Sequence, residues 1–270
     1  MRLERRSGWP QEGVPGLAWL GQAGFWIQTE RHRILIDPYL SDSLAAKYAD
    51  RGPDHRRLMP VPIAVADLPR PDAILVTHAH TDHLDPDTLG PLAARFPGLV
   101  VVAPAACADL ARARAPGARI VGALAGARVE PLPGLVIDVT PAAHERREQD
   151  GQGRDLFLGY ALEAGGVRLW HSGDCVPFDG LPEAVGRADI ALLPVNGRDA
   201  RRAAMGVPGN FHPAEAVHLA RALGAAVLVP HHWGLFAFNS ADPAEVRLAA
   251  GTGPPTVVVP QPGETLCLVR

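Results

Sequence analysis

Residues 73–83 read Ala73-Ile74-Leu75-Val76-Thr77-His78-Ala79-His80-Thr81-Asp82-His83. The first five are apolar or β-branched without a break, the pattern of a strand buried on both faces. The six that follow hold three histidines and an aspartate in the spacing HxHxDH. One rigid turn at a strand end can aim alternate side chains into a single cavity. Imidazole and carboxylate are there the donors that divalent cations prefer. Loops anchored on a buried strand are also where function concentrates. The stretch therefore predicts a metal centre at the edge of a sheet.

Upstream, residues 17–20, 25–29 and 33–36 read as antiparallel strands separated by Gly21, Gly24 and the polar stretch 30–32. Residues 50–71, rich in Pro, Arg and Asp, predict an irregular surface excursion. Downstream, helices at 86–96 and 105–115 alternate with a strand at 99–103 and an extended piece at 119–121. Strands at 135–141, 156–163 and 167–171 follow, the last two joined at Gly165-Gly166, with a highly charged loop at 145–154. The last third alternates helices at 182–187, 213–223 and 243–250 with strands at 190–194, 226–229, 256–259 and 265–269. No linker interrupts this order. It predicts one α+β domain over residues 1–270, two sheets face to face with helices outside.

One turn cannot saturate two cations, so further ligands are expected at later strand ends, and the sequence has them. His144 follows the strand at 135–141, Asp174 lies in His171-Ser172-Gly173-Asp174, and His231-His232 follow the strand that leads to Pro230.

HxHxDH followed by a distant His, Asp and His resembles the metallo-β-lactamase superfamily. Asp37 in Ile34-Leu35-Ile36-Asp37-Pro38 matches that family's early aspartate. The resemblance implies a four-layer αββα sandwich of two mixed sheets with a dinuclear site between them. It implies that His78, His80 and His144 hold one metal, that Asp82, His83 and His232 hold the second, and that Asp174 bridges them. His232 is preferred to His231 because the pattern places the ligand directly before the Trp-Gly pair. Asp37 would orient the HxHxDH loop from behind the ligands. The stretches Trp19-Leu20-Gly21-Gln22-Ala23-Gly24-Phe25, His171-Ser172-Gly173-Asp174 and His232-Trp233-Gly234-Leu235-Phe236 are similar to the branch of L-ascorbate-6-phosphate lactonases and N-acylphosphatidylethanolamine-hydrolysing phospholipase D. With no cysteine at a ligand position, zinc is the default pair of ions, and manganese or iron also suits the nitrogen and oxygen donors.

The expected chemistry is hydrolysis of a small anionic ester or lactone by metal-activated hydroxide, with Asp82 aligning it and Asp174 holding both ions. The alternatives are a phosphodiesterase or phospholipase D-like hydrolase and a non-catalytic metal-binding scaffold. Cys175 beside Asp174 has no activating context for a nucleophile. Asn196, Arg198, Arg201 and Arg202 follow the strand at 190–194 and are candidate contacts for an anionic substrate. Trp233 and Phe236 are candidate pocket walls, His171 and His212 candidate supports, and His32, His55 and His218 are expected at the surface.

Composition limits the rest. The 270 residues are 47% hydrophobic and carry 26 basic against 29 acidic side chains, a net charge of −3 that argues against a nucleic-acid or anionic-membrane partner. No apolar run approaches the roughly 20 residues of a membrane span, and residues 1–11 lack the apolar core of a signal peptide. Three scattered cysteines fit a reducing cytoplasm. The expected partner is a small-molecule substrate, with a homo-oligomer left open. Lys47 is the only lysine among 26 basic residues, which reads as compositional bias rather than function.

Overall fold

The computed structural model describes residues 2–269. The strands are β1 (Arg2–Ser7), β2 (Gly16–Gly21), β3 (Gly24–Gln28), β4 (Arg33–Ile36), β5 (Ala73–Leu75), β6 (Val100–Pro104), β7 (Arg119–Ala123), β8 (Arg128–Leu132), β9 (Leu135–Pro141), β10 (Leu158–Ala164), β11 (Val167–His171), β12 (Ile190–Pro194), β13 (Val227–His231), β14 (Thr256–Val257) and β15 (Glu264–Val269). The helices are α1 (Ser43–Lys47), α2 (Pro86–Arg95), α3 (Ala108–Arg114), α4 (Leu181–Val185), α5 (Ala200–Ala204), α6 (Pro213–Ala222) and α7 (Ala244–Ala250). They form the expected α+β sandwich. One sheet has eight strands in the order β1-β15-β2-β3-β4-β5-β6-β7, the other seven in the order β14-β13-β12-β11-β10-β9-β8.

Both sheets are mixed, for the same reason. Tight turns join β2, β3 and β4, which pair antiparallel, whereas β5, β6 and β7 each follow a crossover and pair parallel. The second sheet mirrors this, with β8 to β11 antiparallel and β11 to β14 parallel.

Side-chain alternation builds the layers. Trp19, Phe25, Ile27, Ile34, Ile36, Leu75 and Val102 of the first sheet meet Ile137, Val139, Tyr160, Leu169, Leu192 and Val229 of the second in a dry inner core. The intervening residues Leu35, Ile74, Val76 and Val101 face outward against Leu89, Leu92 and Ala111 of α2 and α3. On the far side Trp170, Ala191, Leu193 and Leu228 pack under Leu181, Val217, Ala220 and Val246 of α4, α6 and α7. Covering both faces explains why the central strands read as unbroken apolar runs.

The topology sends several loops to one edge. The loops after β4 and β5 leave that edge because the two strands are parallel, and the β2–β3 turn joins them because β2 runs the same way as β4. In the other sheet β9, β11, β12 and β13 all run in one direction, so the loops after them also share an edge. Ligands of α/β sheets bind at such carboxyl-terminal strand ends.

Candidate metal centre

Seven of the side chains singled out in the sequence converge at these loop ends. His78, His80, Asp82 and His83 lie in the loop after β5, His144 after β9, Asp174 after β11 and His232 after β13. Their ligand atoms fall into three overlapping groups, each within 4.8 Å: His78, His80 and His144; His78, His83 and Asp174; Asp82, His83 and His232. Asp174 is the hub. Its Oδ2 lies 3.1 Å from His232 Nε2 and 3.5 Å from Nε2 of both His83 and His144. Asp82 Oδ2 stands 3.7 Å from His83 Nε2 and 3.8 Å from His232 Nε2, and His78 Nε2 is 3.0 Å from His80 Nδ1.

A fixed hydrogen-bond chain sets which ring nitrogens face inward. Asp37, fully buried after β4, accepts from the Thr77 amide at 2.8 Å and the Thr77 hydroxyl at 2.6 Å. With its proton committed to Asp37, Thr77 Oγ1 can only accept from His78 Nδ1, 3.0 Å away, so His78 Nε2 presents a lone pair to the cluster. Asp37 Oδ2 also accepts from His83 Nδ1 at 2.7 Å, which turns His83 Nε2 inward. One carboxylate thus orients two imidazoles, the arrangement that supports metal-ligating histidines.

Electrostatics favour a cation among these groups. Burial alone would raise Asp174, but His232 and His83 hold it well below the usual carboxylate range. Asp82 is likewise lowered, burial being outweighed by His83 and His232. Burial would depress His83, yet Asp174, Asp37 and Asp82 push it well above an ordinary imidazole. The carboxylates that hold a proton on His83 would equally hold a cation at its Nε2. His78 and His80 are lowered by burial and by neighbouring histidines, and His144 is pushed down to about 4. These rings are neutral donors at pH 7. His83 Nε2 and Asp174 Oδ1 are buried without a hydrogen-bond partner among the described residues, which a bound cation would remedy. The donor set fits divalent metal.

The backbone is strained at this edge. The described non-glycine residues with positive φ are Gln22, Asp37, Glu145 and His232, each in the cluster, beside it or touching it. Gly173 completes the pattern at φ 64°, where a Cβ would meet Leu158 O and Thr77 Cβ, both at 2.8 Å. Only glycine lets the turn before Asp174 press that closely on the HxHxDH strand.

A model of the beta-lactamase superfamily domain matches residues 32–233. The UPF0173 metal-dependent hydrolase of Opitutus terrae is 30% identical over 260 residues, covering 93% of this chain and 98% of that protein. The chain belongs to the metallo-β-lactamase superfamily. A second UPF0173 metal-dependent hydrolase, from Thermoplasma acidophilum, is 29% identical over 254 residues, covering 91% of this chain and 95% of that one. The fold is shared with Igni18, a metallo hydrolase of Ignicoccus hospitalis, at TM-score 0.72 and 23% identity, covering 95% of this chain and 99% of the other. This superfamily member is a metal-dependent hydrolase of UPF0173 type, with its His and Asp side chains clustered as for two ions.

Gln22 and Arg114 carry no ligand signature and went unassigned in the sequence, while the candidates His171 and Asn196 take structural roles. Gln22, in the β2–β3 turn, donates from Nε2 to Asp82 Oδ2 at 2.8 Å, and its carbonyl accepts from the His232 amide at 2.9 Å. Arg114 at the end of α3 donates to the carbonyls of Ala79 and Leu84, clamping the HxHxDH loop. His171 bridges the sheets, its Nε2 2.9 Å from Ala23 O and its Nδ1 accepting from the Gly173 amide. Asn196 lies in a buried amide ladder with Asn210 and Asn239, and Asn210 accepts from the Cys175 amide.

Other expectations change. Arg198 is paired with Glu215 at 2.7 Å, Arg202 with Asp199 at 2.6 Å, and neither they nor Arg201 line the cavity over the cluster. Trp233 stacks on Trp19 with centroids 4.7 Å apart and packs in the core, while Phe236 does line the cavity. His212 is exposed and caps α6. His55, expected at the surface, also lines the cavity. Cys175 is buried with its thiol pushed up to about 12 by burial, which removes it as a nucleophile.

Proposed function

We propose that His78, His80 and His144 hold one divalent cation, that Asp82, His83 and His232 hold a second, and that Asp174 bridges them. The position of Asp174 Oδ2, within 3.1 to 3.5 Å of three imidazole nitrogens from three different loops, carries this reading. Zinc is the proposed occupant, and the nitrogen and oxygen donors suit manganese and iron as well. Two such ions would supply a nucleophilic hydroxide at neutral pH and neutralise charge developing on the substrate.

The residues of the chain supply the rest. Asp82 stands at the cavity rim with Gln22 fixing its Oδ2, so it is placed to align an attacking water. Asp37 and Thr77 hold the histidine rings in place, and the inner core excludes water from beneath the cluster.

The substrate we propose is a small anionic ester or lactone. The cavity over the cluster measures about 230 Å³, below the 300 Å³ at which drug-sized ligand pockets begin. That space suits a compact polar molecule better than a phospholipid, and no helix of the described residues is long and apolar enough to cross a membrane. The motif resemblance to ascorbate-phosphate lactonases points the same way. A panel of lactones, carboxylic esters and phosphodiesters, assayed with metal content measured alongside, tests this. Turnover of lactones or esters that is lost in His80→Ala and Asp174→Ala is expected. Preferred turnover of phosphodiesters would overturn the substrate class, and unchanged activity in both variants would overturn the metal mechanism.

A further inference from the structure

Of the arginines expected to receive an anionic substrate, Arg198 and Arg202 are committed to Glu215 and Asp199 and Arg201 lies outside the cavity, which leaves the question of what does. The cavity over the metal cluster is lined by two permanent cations, Lys47 and Arg114. Arg114 donates to the carbonyls of Ala79 and Leu84. Lys47, at the end of α1, makes no ion pair among the described residues. Its Nζ lies 3.2 Å from Thr81 Oγ1, inside the HxHxDH loop, and 5.3 Å from the centre of the Tyr48 ring. The one lysine of the chain is thus an uncommitted cation beside Asp82.

His55 lines the same cavity. Its Nδ1 is 2.7 Å from Pro53 O, and a carbonyl oxygen only accepts, so Nδ1 carries the proton. Nε2 of the neutral ring is therefore an acceptor, and it makes no hydrogen bond among the described residues. The ring is held by stacking on Tyr48 at 4.2 Å and by the edges of Phe238 at 4.6 Å and Phe236 at 5.4 Å. Burial lowers the pKa of His55, in keeping with a neutral ring.

We propose that Lys47 and His55 form the recognition edge of this site, Lys47 pairing with an anionic group of the substrate and His55 Nε2 accepting a hydrogen bond from one of its hydroxyls. The substrate class is then a small hydroxylated ester or lactone that carries a separate anionic group, its carbon skeleton against Tyr48 and Phe236. The biological meaning rests on the hydrolase reading above, but binding is measured without turnover.

The test is calorimetric titration of D-gluconate and hexanoate, two six-carbon carboxylates with and without hydroxyls, into the metal-loaded protein. Wild type binds gluconate more tightly than hexanoate. Lys47→Gln weakens both, by about tenfold for the loss of one charge-assisted contact. His55→Phe, which keeps the ring stack, weakens gluconate alone. Arg201→Gln, outside the cavity, changes neither. Metal content and thermal midpoint are measured for each variant, so that a misfolded or metal-poor protein is replaced by Lys47→Met or His55→Tyr. Binding unaffected at Lys47, equal losses for both ligands at His55, or no binding of either ligand by wild type overturns the proposal. Failure of hydrolysis alone would count against the proposed reaction and leave these binding results standing.

Discussion

Replacing Asp37 with asparagine should loosen the metal centre without touching a ligand. The carboxylate is fully buried and accepts three hydrogen bonds, from Thr77 N, Thr77 Oγ1 and His83 Nδ1, at 2.6 to 2.8 Å. An asparagine side chain keeps the shape but turns one oxygen into a donor. Its least costly orientation faces the new NH₂ to the Thr77 amide, because the other side meets two donors. That loses one hydrogen bond and leaves a buried amide unpaired, costing about 1 to 3 kcal/mol, and the two remaining bonds lose their charge assistance at roughly 0.5 to 1 kcal/mol each. The sum is about 3 kcal/mol. Urea denaturation of the metal-stripped protein reads this term directly. The bonds that orient His83 directly and His78 through Thr77 Oγ1 are among those weakened, so metal affinity should fall by about 10- to 100-fold in a competition titration with a chromophoric chelator. A variant within about 0.5 kcal/mol of wild type and with unchanged metal affinity would refute the reasoning that Asp37 sets the imidazole geometry.

Three further outcomes are expected. Gly173→Ala, which drives a Cβ to 2.8 Å from Leu158 O and Thr77 Cβ at a left-handed φ, should destabilise the fold by about 2 to 4 kcal/mol in thermal or urea unfolding, and a loss under 1 kcal/mol would show that the turn can relax. His144 falls from its ordinary 6.5 to about 4 on burial, so the unfolded chain binds its proton first; stability of the metal-stripped protein is held above pH 6.5 and is lost toward pH 4, by up to about 3 kcal/mol. His83 shifts the other way, so the wild-type minus His144→Gln difference is the quantity to follow, and a flat difference would contradict the assignment. Cys175, buried and pushed up to about 12, should resist thiol reagents at pH 8 until the protein unfolds, and rapid native labelling at that position would contradict its place in the core.

The legible and the hidden parts of the molecule differ in the range of their interactions. The strand at 73–77 and its histidines are written within eleven consecutive residues, and the remaining ligand candidates are marked by residue type at strand ends. Edge strands left no such mark. The β1 strand, Arg-Leu-Glu-Arg-Arg-Ser, pairs only with β15 and is mostly exposed, so it lacks a buried face to alternate against. The β8 strand, with Pro131 inside it, is hidden for the same reason. Gln22 and Arg114 act across 60 and 30 or more residues of chain through hydrogen bonds that composition does not encode. Lys47 and His55 read as bias and surface because α1 and the excursion after it gain meaning only when folded over the cluster. The arginines at 198, 201 and 202 misled for the opposite reason, since Glu215 was too far along the chain to be seen as the partner of Arg198.

The central claim is a pair of divalent ions bridged by Asp174. Elemental analysis of protein reconstituted with excess zinc and then dialysed tests it most directly. The wild type should retain two ions per chain, and Asp174→Ala should lose most of both while remaining folded by circular dichroism. A wild-type protein that retains none, or an Asp174→Ala variant that retains two, would contradict the account.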